Sequence, residues 1–161
     1  DTIVDTVVVK LYAATTPYSL LYQSYCLLGV SGYGFAEFPQ GALLSSYYIG
    51  IEHRNHLETW SSTAFLFDTP DSTYDFSATA GSAYGSNQVL LEPGLYGIRS
   101  GDVNQDDYIN MNDVTLLLNA ASGFVAGGYR KEDLNGDGFV ESADYSWLEN
   151  RAFSGIVLIR P

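Results

Sequence analysis

The sequence is poor in cysteine and in positive charge, and it lacks any long apolar run. A single cysteine, Cys26, excludes an intramolecular disulfide. It lies in the strand-like run SYCLLG (24–29), where a buried, inert thiol is expected and not a nucleophile. Lys and Arg number 7 against 19 Asp and Glu, a formal net charge of -12. That balance excludes nucleic acid as a partner, because a phosphate backbone is bound by the basic residues this chain lacks. No apolar stretch approaches the length of a membrane span. No signal-like segment precedes Asp1, so the chain is expected to be a processed or excised mature segment. A GxSxG elbow, a phosphate loop, CxxC and N-x-S/T are also missing. An enzyme is therefore not expected.

Residues 1–99 are short β-branched and aromatic runs: TVVVKLY, SYYIGIEH, LETW, TAFLF, QVLLE and GLYGIR. Gly, Pro, Ser and Asn clusters separate them. This pattern predicts an antiparallel β-sandwich domain over 1–99. Aromatics make up 14% of the chain, with 13 Tyr, which suits strands with one packed and one wet face. Exposed aromatics such as Trp60 are candidates for stacking on sugar rings, against a simpler role in packing. His53 and His56, with Glu52 and Glu58, are candidate metal ligands. If YYIGIEH and LETW form a hairpin with Arg54-Asn55 at its turn, however, the two rings sit at the loop ends with nothing to make them converge.

Residues 100–161 have another character. DLNGDGFVESAD (133–144) places oxygen-bearing side chains at positions 1, 3, 5, 9 and 12 of a twelve-residue loop with glycine at 6, the spacing that wraps a calcium ion. Asp133, Asn135, Asp137, Glu141 and Asp144 supply side-chain oxygens, and Phe139 supplies a backbone carbonyl. A second copy lies upstream, DVNQDDYINMND (102–113), where Asp102, Asn104, Asp106, Asn110 and Asp113 match and Tyr108 gives the carbonyl. Its position 6 is Asp107, which must take φ near or above zero, so this site is expected to be the weaker. The apolar residues at position 8, Ile109 and Val140, are expected to point inward and pair with each other. Two calcium ions are expected, since carboxylates crowded without a cation repel one another. A ligating carboxylate is not free for acid–base catalysis.

Each loop is followed by one helical pattern: Val114, Leu117 and Leu118 after the first, Tyr145, Leu148 and Phe153 after the second. Neither has a convincing helix in front. A loop followed by one helix, repeated after about thirty residues, with Asp at both twelfth positions, resembles the dockerin type I module over Gly101 to about Phe153. The resemblance implies a calcium-dependent fold and docking to a cohesin partner. Where the family presents a Ser/Thr-type pair at loop positions 10 and 11, this chain has Met111-Asn112 and Ser142-Ala143. SYYIGIEHRNHLETWSS, continuing to GLYGIRSGDVNQDD, also resembles the β-module before dockerin-like tails of large secreted bacterial surface proteins. The hinge is expected near Arg99-Ser100-Gly101, with the two domains packed together.

The apolar strand Ile156–Ile159 after the second helix must be buried, because an exposed apolar strand invites pairing. It either folds back on its own sandwich or completes the sheet of a neighbouring copy, and an open head-to-tail contact yields a filament. Hence the leading expectation is a non-enzymatic, extracellular or cell-surface calcium-binding structural protein that assembles with copies of itself. The alternative is a carboxyl-terminal anchoring module docking to a cohesin-type or surface receptor, with polysaccharide binding by the sandwich. Asp1-Thr2-Ile3 and Asp5-Thr6-Val7 resemble an O-glycosylation acceptor sequence, although plain strand chemistry is the better explanation of them.

Overall fold

In the run Ile3–Ala13, β-branched residues alternate between two environments, and the strand they form (β1) is the organising element of the first unit. The structure, a computed structural model, describes residues 3–152 and 154–161. The Asp1-Thr2 pair of the first acceptor-like stretch and Phe153 of the second helical pattern lie outside the described residues. β1 pairs antiparallel with β2 (Leu20–Gly29) on one side and with β3 (Ser46–His53) on the other. β4 (His56–Trp60) and the short β5 (Phe65–Leu66) complete a five-stranded sheet, order β2-β1-β3-β4 with β5 also on β3. A separate hairpin joins β6 (Val89–Glu92) and β7 (Leu95–Gly97). Among the described residues the chain is thus mainly β and antiparallel, but a second sheet comparable to the first, as a sandwich needs, is not formed. The reason is local: residues 67–88 are rich in Ser, Thr, Gly and Asp and run as turns and short 3-10 segments instead of strands.

Register explains the core. Leu11 lies opposite Tyr22 and Ile49, and Val9 opposite Ser24 and Ile51, so one face is lined by residues of the same parity. Leu11, Ala42, Tyr47 and Ile49 are buried there against Phe38, Phe65, Phe67 and Tyr74. Cys26 is also buried, and that burial pushes its thiol up, away from the reactive thiolate. On the other face Lys10 pairs with Glu52 and Glu58, and the Tyr12 hydroxyl donates to Glu58 Oε1 at 2.7 Å. Gly50 makes room for this network: a Cβ there would lie 2.6 Å from Glu58 Oε1 and 2.7 Å from Tyr12 Cε2. Trp60 corrects one expectation. It is 2% exposed and stacked on Tyr12 at 3.9 Å between centroids, so it has no face to offer a sugar.

The chain divides into two compact units. Unit 1 holds Asp1–His53, Glu58–Gly97 and Ile159–Pro161; unit 2 holds Arg54–Leu57 and Ile98–Leu158. In unit 2, β8 (Tyr108–Ile109) leads into α1 (Met111–Ser122), and α2 (Ser142–Ala152) leads into β9 (Ile156–Val157). Asn110 caps α1: its side chain accepts from Asn112 N while Asp113 bonds back to Asn110 N, a capping box. Val114 and Leu117 of α1 and Leu148 of α2 are buried. Leu118, expected on the same face, is exposed, because the helix turns it away from the stripe that Val114 and Leu117 define. Among the described residues no helix is long and apolar enough to cross a membrane.

Candidate metal centre

Both acidic loops fold on closely similar hydrogen-bond plans, which differ at position 1 in one donor. At position 1, Asp102 accepts from Asp106 N (3.1 Å) and Asp107 N (3.2 Å), while Asp133 accepts from Gly136 N (2.7 Å) and Gly138 N (2.9 Å). At position 3, the side-chain oxygens of Asn104 and Asn135 accept from the amides of Asp106 and Asp137. At position 5, Asp106 and Asp137 accept from Tyr108 N and Phe139 N. At position 12, Asp113 Oδ1 accepts from Val103 N and Asn104 N and its Oδ2 from Asn110 N; Asp144 does the same with Leu134 N, Asn135 N and Glu141 N. Each closing carboxylate thus ties the start of its loop to the first turn of its helix.

The backbone repeats as faithfully as the bonds. Gln105, Asp107 and Phe124 have φ of 58, 70 and 51°, and their counterparts Gly136, Gly138 and Gly155 have 78, 87 and 56°. The first copy therefore carries side chains in left-handed conformations where the second uses glycine, at about 1–2 kcal/mol each. Asp107 takes the positive φ expected of it.

Strand pairing departs from expectation. Ile109 and Val140 are both buried, yet their backbones do not pair with each other. Tyr108-Ile109 pairs with Ile156-Val157, the segment after α2, and Leu158 N donates to Asp107 O at 2.9 Å. Phe139 bridges Ala126 in the segment after α1, Val140 N donates to Val125 O, and Gly127 N donates to Gly138 O at 2.8 Å. Each loop is paired with the segment following the other copy's helix. Within the apolar stretch Ile156–Ile159, Ile156-Val157 pairs with the first loop as the second copy's counterpart of Val125-Ala126, while Ile159 falls in unit 1.

The site residues fall in two sets. Asp102, Asp113, Asp133 and Asp144 are buried, the two twelfth-position carboxylates completely. Burial, with Asp113 and Asp106 nearby, pushes Asp102 up to about 6 against the backbone amides that favour its charge. Tyr108, Phe139 and Glu141 expose their side chains, which leaves the first two only a backbone carbonyl to contribute, and Asn110 doubles as the α1 cap. Among the described residues no three His, Cys, Asp or Glu side chains close on one point as a metal group. The oxygens are held by backbone amides, and the set includes Asn and carbonyl oxygens. Its chemistry, all hard oxygen with buried carboxylates at both ends, fits calcium and no soft metal. His53 and His56 do not converge: His53 Nε2 meets Asp5 Oδ2 at 3.0 Å, and His56 Nδ1 meets Asn55 Oδ1 at 2.8 Å.

A duplicated loop–helix frame without leading helices, each loop closed by Asp, is a specific arrangement. Residues 100–152 match the family model of the Dockerin type I domain. The dockerin match covers the C-terminal part of the chain, and it ends before Ile156-Val157, the segment that pairs with the first loop. Type I dockerins bind calcium through EF-hand-like loops and dock, without catalysis of their own, to cohesins. No curated protein and no solved structure matches the chain significantly. Met111, Asn112 and Ser142, at loop positions 10 and 11, are exposed and Ala143 is half-buried.

Proposed function

We propose that residues 100–161 form a calcium-dependent docking module that attaches a β part within residues 1–99 to a cohesin-type partner, outside the cell. The dockerin match together with the doubled loop frame carries this reading. One calcium ion in each loop is held by the side chains of Asp102, Asn104, Asp106, Asn110 and Asp113, or of Asp133, Asn135, Asp137, Glu141 and Asp144, with the Tyr108 and Phe139 carbonyls at position 7. Each ion offsets the negative charge that its loop's carboxylates gather in one place. The helices then present Met111-Asn112 and Ser142-Ala143 in a fixed geometry. Titration of the full chain with a type I cohesin tests the reading: saturable binding in calcium and none in chelator is the expected result, and no binding in calcium contradicts it.

The Asp102 carboxyl gives a pH signature. Its folded, cation-free value of about 6 lies above the ordinary 3.8, so the cation-free fold gains stability from this group as pH falls through 6 and loses it as pH rises. Calcium needs the carboxylate, so its affinity moves the other way. The difference in melting temperature between calcium-loaded and chelated protein is therefore expected to shrink from pH 7.5 to pH 5, as scanning calorimetry would show.

A second reading, self-assembly, is favoured by β2 rather than by the terminal strand. β2 is the edge of its sheet, carries no charged residue, and exposes Leu21, Tyr25 (74% exposed) and Leu27 on one face. Light scattering of Tyr25→Lys against the unaltered chain tests it: assembly that the charge disperses supports edge pairing, whereas a monomer in both cases excludes it.

A further inference from the structure

The two loops share most of their hydrogen-bond plan, and one difference lies in how the carbonyl of the position 1 residue is held. In the first loop Gln105 Nε2 donates to the carbonyl of Asp102, the position 1 residue, at 2.6 Å. In the second loop position 4 is Gly136, which has no side chain to do this. The equivalent carbonyl, that of Asp133, receives Asn55 Nδ2 at 2.9 Å. Arg54 adds Nη2 to the same carbonyl at 3.4 Å and Nε to the Arg130 carbonyl at 2.8 Å, with its guanidinium 4.1 Å from the centre of the Tyr129 ring. Asn55 is itself held: it is 1% exposed, its Oδ1 lies 2.8 Å from His56 Nδ1, and its carbonyl accepts from Gly101 N at 2.7 Å. All of these residues belong to unit 2.

We infer that Asn55 is a positioning residue of the second calcium loop, supplying from a distant point in the sequence the amide donor that Gly136 lacks. The inference rests on the calcium reading of the loops. Asp133 contributes its carboxylate from the same residue whose carbonyl Asn55 pins, so the bond fixes the peptide plane from which the ligand projects. Partners one step behind a metal ligand are worth about 10–100-fold in affinity, and without Asn55 the Asp133 carbonyl keeps the longer Arg54 Nη2 contact at 3.4 Å in place of the 2.9 Å bond. Residues 54–57 lie outside the dockerin match, so the second loop is completed by a segment the family pattern does not contain.

The test is a calcium titration of the full chain by NMR, reading the Asp107 amide for the first loop and the Gly138 amide for the second. In the unaltered chain both amides titrate; if neither does, the calcium reading itself fails. Asn55→Ala is expected to weaken the Gly138 transition about tenfold and to leave that of Asp107 in place. Adding Gly136→Gln should restore it at the cost of a left-handed backbone that Gln105 already bears in the first loop, since a Cβ at Gly136 meets nothing within 4 Å. An unchanged Gly138 midpoint in Asn55→Ala overturns the inference, and so does equal weakening of both loops without rescue. Should Asn55→Ala not fold, Asn55→Ser is the substitute, since its hydroxyl is too short to reach the Asp133 carbonyl, and the same outcomes apply.

Discussion

Asp144→Ala is expected to abolish calcium binding at the second loop and to unfold the loop itself. Asp144 Oδ1 holds Leu134 N at 2.8 Å and Asn135 N at 3.1 Å, and Oδ2 holds Glu141 N at 3.0 Å, all from a side chain with no exposed surface. Removing it orphans three amides around a void. At about 1 kcal/mol for each of these part-buried bonds lost, the loss is about 3 kcal/mol before the metal is counted. A domain is stable by only about 5–15 kcal/mol, so the variant should melt well below the parent even in excess calcium. Asp113→Ala should do the same to the first loop through Val103, Asn104 and Asn110. Calorimetry checks both, and a variant whose calcium-dependent melting matches the parent's would contradict the role given to position 12.

Leu158→Pro is expected to damage the first loop although it lies far from it in sequence. Leu158 is buried, and its amide donates to the Asp107 carbonyl at 2.9 Å beside the β8–β9 pair. Proline removes the donor and the side chain together. The lost burial is worth about 1.5–3 kcal/mol and the lost bond about 0.5–1.5 kcal/mol. Because the bond acts on position 6 of the loop, next to the Tyr108 carbonyl, calcium affinity there should fall about tenfold or more, with the second loop retained. Site-resolved titration through the Asp107 and Gly138 amides reads this directly. If Ile156–Ile159 were instead a strand for exchange between chains, Leu158→Pro would alter assembly and leave both affinities untouched.

The sequence displayed what depends on short spacing. Alternating Val7, Val9 and Leu11 are legible as a strand because the period of two is a property of neighbours, and β3 begins at Ser46 and ends at His53 as its apolar run suggests. The loop residues are legible for the same reason, since positions 1 to 12 lie within one turn of chain. Pairings between distant segments were not legible. GFVAG (123–127) and SGIVL (154–158) share only weak similarity, yet each occupies the same place beside the other copy's loop. Their pairing and the match of Phe124 with Gly155 in left-handed conformation show it, and neither pairing nor φ can be read from Phe. Asn55 was hidden further still. It stood in the sequence as a turn residue between two histidines, and its bond to Asp133 becomes evident only when Gly136 is set against Gln105. Trp60 shows the opposite error: a large aromatic on an alternating strand was a candidate for an exposed platform, and the second aromatic layer of Tyr12 and Tyr48 covers it.

The central claim is a duplicated calcium frame in residues 100–158, and its most direct test is the stoichiometry of calcium binding to the cation-stripped full chain by isothermal titration calorimetry. Two ions per chain, with the first loop the weaker because Gln105 and Asp107 hold left-handed conformations, is the predicted result. One ion or none would contradict it.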